Sequence, residues 1–192
     1  FLFVTVMVLA NTLAGTLGGG LPGEALRSWG LSLETLLNGE VFRLVTATFL
    51  SHTLPMFLRQ IVFATTVIGA YEWLNGTRRA VLAFLSVDII GTVLVFAFVI
   101  APLARIEGGF DAELAALGDV GMSAGGFGLI GALCRIAPRP HLVLGLIAAA
   151  IGAKMVFDLD VIADSAHLIC LGLGYGMQVL LDRRDSKQPP RT

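Results

Sequence analysis

The chain has 192 residues, 56% of them hydrophobic and 14% charged, with a mean hydropathy of +0.84 and a formal net charge of −1. A soluble domain carries roughly 25% charged residues, so this composition excludes an ordinary water-soluble core and points to a bilayer. The near-neutral charge, with no basic stripe interleaved with aromatics, gives no electrostatic case for nucleic acid.

The first apolar stretch runs over residues 1–17, short of the roughly 20 that a spanning helix needs. Part of the first helix is therefore expected upstream. A cleaved signal peptide is the rival reading, because small residues cluster at 10–15, but no basic leader supports it. Residues 18–52 follow, with Gly18-Gly19-Gly20, Pro22 and amphipathic runs such as Leu31-Ser32-Leu33-Glu34-Thr35-Leu36-Leu37. This segment is too polar to span and too apolar to float free, so it is expected to lie in the membrane interface. Further spans are expected at about 55–74, 79–103, 119–136, 140–157 and 161–181. The fold class is then an all-α membrane protein, a six-transmembrane-helix bundle with an interfacial loop after the first helix. One membrane domain covers residues 1–182, followed by a polar cytoplasmic tail at 183–192.

Orientation follows from the arginines. Arg78 and Arg79, then Arg135 and Arg139, then Arg183, Arg184, Lys187 and Arg191 all fall on one side of a six-span bundle, which is the cytoplasmic side. The opposite loops carry Glu24, Glu34, Glu40, Glu107, Asp111, Glu113, Asp119, Asp158 and Asp160, against only Arg27, Arg43 and Arg105. Both chain ends are then cytoplasmic, and a bacterial inner membrane is the expected location. Cys134 and Cys170 fall near opposite faces and read as small packing residues rather than a disulfide.

Ser123 lies in the glycine-dense run Gly121-Met122-Ser123-Ala124-Gly125-Gly126-Phe127-Gly128 at the outer start of the fourth span. His167 enters the sixth span at about the same depth from the same side. Burying a hydroxyl in hydrocarbon without a partner costs roughly 2 to 7 kcal/mol, and the economical arrangement is that the two side chains meet. Small residues at four-residue spacing let the helices approach: Gly121 and Gly125, then Ala124, Gly128 and Ala132 on one, and Ala166, Cys170 and Gly174 on the other. A serine becomes a nucleophile when a base takes its proton, and a neutral imidazole suits that task. Backbone N–H groups in a glycine-rich turn at a helix start can hold the developing oxyanion. The bland reading is a packing serine bonded to its own helix and a histidine satisfied on a carbonyl.

The run from Gly121 to Ala132 resembles the active-site helix of the rhomboid intramembrane serine proteases, with Ser123 at the nucleophile position. Asp164-Ser165-Ala166-His167-Leu168, with Gly174 seven residues after His167, is similar to the helix that bears the family's catalytic histidine. Gly39-Glu40-Val41-Phe42-Arg43-Leu44-Val45-Thr46 resembles the Trp-Arg segment of the first loop, Phe49-Leu50-Ser51-His52 the start of the second helix, and Tyr71-Glu72 with Gly76 and Arg78-Arg79 the junction after it. The likeness covers nearly the whole chain. It implies a Ser123/His167 dyad, an oxyanion hole around Gly121, Met122 and Ser123, a transmembrane protein substrate, and no metal or organic cofactor.

The departures are specific. Ala124 replaces a glycine of the motif, Phe42 the tryptophan of Trp-Arg, and Cys170 a packing glycine. The family's second helix presents a histidine and an asparagine five and nine residues after the position of His52, where this chain has Phe57 and Ile61. Gln60, one residue away, and His52, from the rim, are the candidates to replace the missing oxyanion donors, against plain polar roles for both.

Asp164 shares a helix face with His167 and either orients the imidazole or simply favours the positive end of its helix. Asp88, mid-way along the third span, needs a partner or a proton, while Arg59 and Lys154 are expected to snorkel to opposite surfaces. His52, His141 and His167 are too scattered for a zinc site, and the sequon Asn75-Gly76-Thr77 falls on the cytoplasmic side. Three readings follow: a proteolytic enzyme, an inactive rhomboid-like subunit that binds a partner in a membrane complex, and a small transporter or proton relay resting on Asp88 alone.

Overall fold

The computed structural model describes residues 2–105, 116 and 118–186. Glu107, Asp111, Glu113, Lys187 and Arg191, used above for orientation, lie outside the described residues. Within them the chain is all-helical, with 80% of it in helices and no strand. Helix α1 covers Leu2–Leu13, followed by three short helices, α2 (Gly23–Trp29), α3 (Leu33–Leu37) and α4 (Arg43–Thr46), in the segment expected at the interface. Then come α5 (Leu54–Asn75), α6 (Thr77–Leu103), α7 (Ser123–Cys134), α8 (Pro140–Phe157) and α9 (Val161–Asp185). Arg183 and Arg184, assigned above to the tail, continue α9.

Local chemistry sets these boundaries. Thr53 caps α5 by accepting the Met56 N–H, with Pro55 in the first turn, and Asp160 caps α9 by accepting the Ala163 N–H. Such caps satisfy donors that have no intrahelical partner. Gly76, at φ 82°, ends α5 in a conformation that side chains disfavour.

Helices α5, α6 and α8 are long and apolar enough to cross a membrane. Helix α1 is apolar but shorter, and α9 is long enough but carries Asp164, His167 and Gln178. The expected span at 119–136 is helical only over the 12 residues from Ser123, about 18 Å at 1.5 Å per residue, against roughly 30 Å of hydrocarbon. Three of the six expected spans thus meet the length and apolarity of a crossing helix. Leu13, Trp73, Val156 and Phe157 point outward almost fully exposed, an arrangement that suits hydrocarbon better than water.

Helices α6, α7 and α9 form the centre of the bundle, and glycines bring α7 and α9 into backbone contact. A Cβ on Gly174 would fall on the Gly128 carbonyl, and one on Gly131 on the Leu171 carbonyl. Cys170 turns to α6 instead, its Sγ donating to the Val87 carbonyl over 3.6 Å and filling the space above Gly91. Arg79–Asp185 at 2.8 Å and Arg135–Asp182 at 3.3 Å tie one end of the bundle. The starts of α7 and α9 lie at the other.

Candidate functional site

The residues before α7 are held by main-chain bonds to the interfacial segment. Leu31 and Asp119 exchange N–H···O bonds of 3.0 and 2.7 Å, and the Gly121 N–H donates to the Ala47 carbonyl at 3.0 Å. Gly121 sits at φ 138°, where a side chain would be strained. The turn delivers Ser123 as the first residue of α7, half-buried, with the N–H groups of the first turn free of intrahelical acceptors.

His167 projects from α9 onto the same face of α7. Its ring stacks on Phe127 with centroids 4.1 Å apart and planes inclined by 27°, and Phe127 follows Ser123 by one helical turn. The expected hydrogen bond between Ser123 and His167 is not formed: His167 Nε2 is buried without a hydrogen-bond partner. The two helices nonetheless pack backbone to backbone, and through Phe127 the imidazole, its Nε2 unpaired, lies on the face of α7 that begins with Ser123. Catalytic hydrogen bonds are often long or misaligned before substrate binds.

Asp164 is committed elsewhere. Its Oδ2 accepts from Lys154 Nζ at 3.0 Å and from the Asp160 N–H at 2.9 Å. Lys154, expected to snorkel, therefore joins the end of α8 to the start of α9, and Asp164 is a staple between helices.

A chamber of about 150 Å³ opens beside Ser123, with Thr48, Asp88, Thr92, Asp119 and Asp160 among its walls. His52 borders it, half-exposed, with Nε2 3.8 Å from Asp119 Oδ1. Gln60 is 6% exposed. Its Oε1 accepts from Ser51 Oγ at 2.5 Å, while its Nε2 has no partner. A Cβ on Gly121 would stand 2.8 Å from that nitrogen, so the unpaired amide donor lies directly against the turn before Ser123. Phe57 is buried in apolar packing, and Ile61 packs against the same cluster.

Asp88 finds two donors: Oδ1 accepts the Gly125 N–H at 2.7 Å and Oδ2 accepts Thr48 Oγ1 at 2.8 Å. Sequence reasoning noted the acid without its partners and gave no individual role to Phe127, Thr48 or Ser51. Phe127 alone carried a readable signal, being four residues after Ser123 on one face. His141 lies apart, near Tyr175 Oη at 3.3 Å. Gly128, Gly131 and Gly174 shape the seam, and Ala132 is buried deeper on α7. No protein-family model matches this chain, and no curated protein matches it.

Proposed function

We propose that this chain is a rhomboid-like intramembrane serine protease with a six-helix arrangement, cleaving transmembrane substrates near the outer membrane face. The observation that carries the reading is the unpaired, buried Nε2 of His167, stacked one helical turn from Ser123 across a glycine seam. A buried ring nitrogen with no partner is uncommon in a native fold and calls for a reason. A serine hydroxyl turned toward it supplies one.

In the reaction, the Ser123 Oγ–H proton passes to His167 Nε2 as Oγ bonds to the scissile carbonyl carbon, and the carbonyl electrons move onto oxygen. The N–H groups of Met122, at the capping position, and of Ser123, with Gln60 Nε2, hold that oxyanion. The tetrahedral adduct then expels the amine, which takes the proton from His167, and water releases the acyl group by the reverse sequence. Substrates are segments that unwind readily, because a carbonyl hydrogen-bonded within a helix is not presented for attack. Cytoplasmic chain ends agree with the arginine distribution.

One observation favours the second reading, an inactive subunit: Phe57 packs as core where the family has an oxyanion donor. The two separate on cleavage of a transmembrane reporter by protein in vesicles. The protease reading expects a product that vanishes in Ser123→Ala and His167→Ala. No cleavage by the folded wild type, together with a stoichiometric co-purified partner whose function survives Ser123→Ala, supports the subunit.

A further inference from the structure

Helix α7 lacks a side-chain cap of its own. Met122, at the capping position, has no side-chain oxygen to accept a first-turn N–H, and the donor of the third residue, Gly125, is taken by Asp88 from α6. We propose that Asp88 is a positioning residue for the nucleophile: its carboxylate fixes the first turn of α7 against the loop that carries Thr48, and through that turn sets the position of Ser123 Oγ. The inference rests on the proteolytic reading.

Three features support it. First, the loop grips the nucleophile from both sides, since the Ala47 carbonyl takes the Gly121 N–H and the neighbouring Thr48 bonds the carboxylate that holds Gly125. Ser123 lies midway between these two anchor points. Second, the close approach requires a glycine: a Cβ on residue 125 would lie 2.7 Å from the Phe84 ring and 3.0 Å from Asp88 Cβ. Third, Asp88 and Ser123 line the same chamber, so no protein layer separates the anchor from the reacting group.

The chemistry calls for a carboxylate. It is acceptor-only, with an oxygen for each of two donors, whereas an amide presents one oxygen and an NH2 that faces the other donor. Negative charge at the start of α7 also complements its dipole. Asparagine therefore keeps one of the two bonds, and alanine neither.

The experiment compares wild type, Asp88→Asn, Asp88→Ala and Thr48→Val in detergent, measuring the rate of Ser123 phosphonylation by a fluorophosphonate together with kcat and KM on a transmembrane reporter. A misplacement near 1 Å costs on the order of 100-fold. Asp88→Ala is expected to lower phosphonylation and kcat about 30-fold with KM held, Thr48→Val about fivefold, and Asp88→Asn to recover a substantial part of the alanine loss. Should Asp88→Ala fail to fold, Thr48→Val carries the test. A folded Asp88→Ala, or Thr48→Val in its place, reacting at the wild-type rate overturns the inference, as does a loss confined to KM or matching the unfolded fraction. Wild-type protein that resists the probe removes the proteolytic reading, and the inference with it.

Discussion

Phe127 and His167 lie ring on ring, with centroids 4.1 Å apart, and this contact sets how the imidazole meets the face that begins with Ser123. Aromatic pairs contribute about 0.5–1.5 kcal/mol beyond area burial. Phe127→Ala leaves the imidazole free to tilt, so turnover on a transmembrane reporter should fall about tenfold, while Phe127→Tyr, which keeps the ring, should stay near wild type. Equal rates for wild type and the alanine variant would show that the stack does not position the base.

The seam between α7 and α9 tolerates no added carbon at Gly131 or Gly174, because each would meet a carbonyl of the opposite backbone. Gly131→Ala should destabilise the protein by about 1–3 kcal/mol. At Gly145, where nothing lies within 4 Å, the same change should be neutral or stabilise by roughly 0.5–1 kcal/mol. Thermal unfolding in detergent distinguishes them, and similar melting temperatures would contradict the packing described.

Lys154 and Asp164 tie the end of α8 to the start of α9. Asp164 is almost fully buried and its Oδ2 is shared by the lysine and a backbone N–H. Replacing Lys154 by methionine should cost about 1–3 kcal/mol and leave turnover per folded molecule unchanged. A selective loss of turnover would return Asp164 to the role of orienting the imidazole.

Gln60 offers the only unpaired side-chain N–H2 described beside the turn before Ser123. Gln60→Leu and Gln60→Glu both remove it. Each should lower kcat by about 100-fold, in the range for one oxyanion donor, with KM little changed. A rise in KM alone, or an unchanged kcat, would leave the oxyanion to the backbone.

Much of this was legible in the chain because apolar runs, glycine spacing and helix caps are local signals. Pro140 and Phe157 bound α8 as expected, and the stretches around Ser123 and His167 do lie on one seam. What could not be read depends on pairs distant in sequence. Asp88 is satisfied by a backbone N–H at Gly125, which leaves no side-chain trace, and by Thr48, one of many threonines. Lys154 and Asp164 are ten residues apart across a bend whose direction decides whether the lysine snorkels or pairs. The expected span begins at Asp119 and the helix at Ser123, because the bonding of Asp119 to Leu31 and of Gly121 to Ala47 holds the residues between out of the helix. The direct bond between Ser123 and His167 required an ångström-level approach that small-residue spacing does not specify.

The central claim is that Ser123 is a nucleophile activated by His167. Mass spectrometry of fluorophosphonate-treated protein tests it most directly. The account predicts a single phosphonyl adduct on the peptide containing Ser123, absent from Ser123→Ala and strongly reduced in His167→Ala. An unmodified Ser123 in folded wild-type protein, or an adduct that persists in Ser123→Ala, would contradict it.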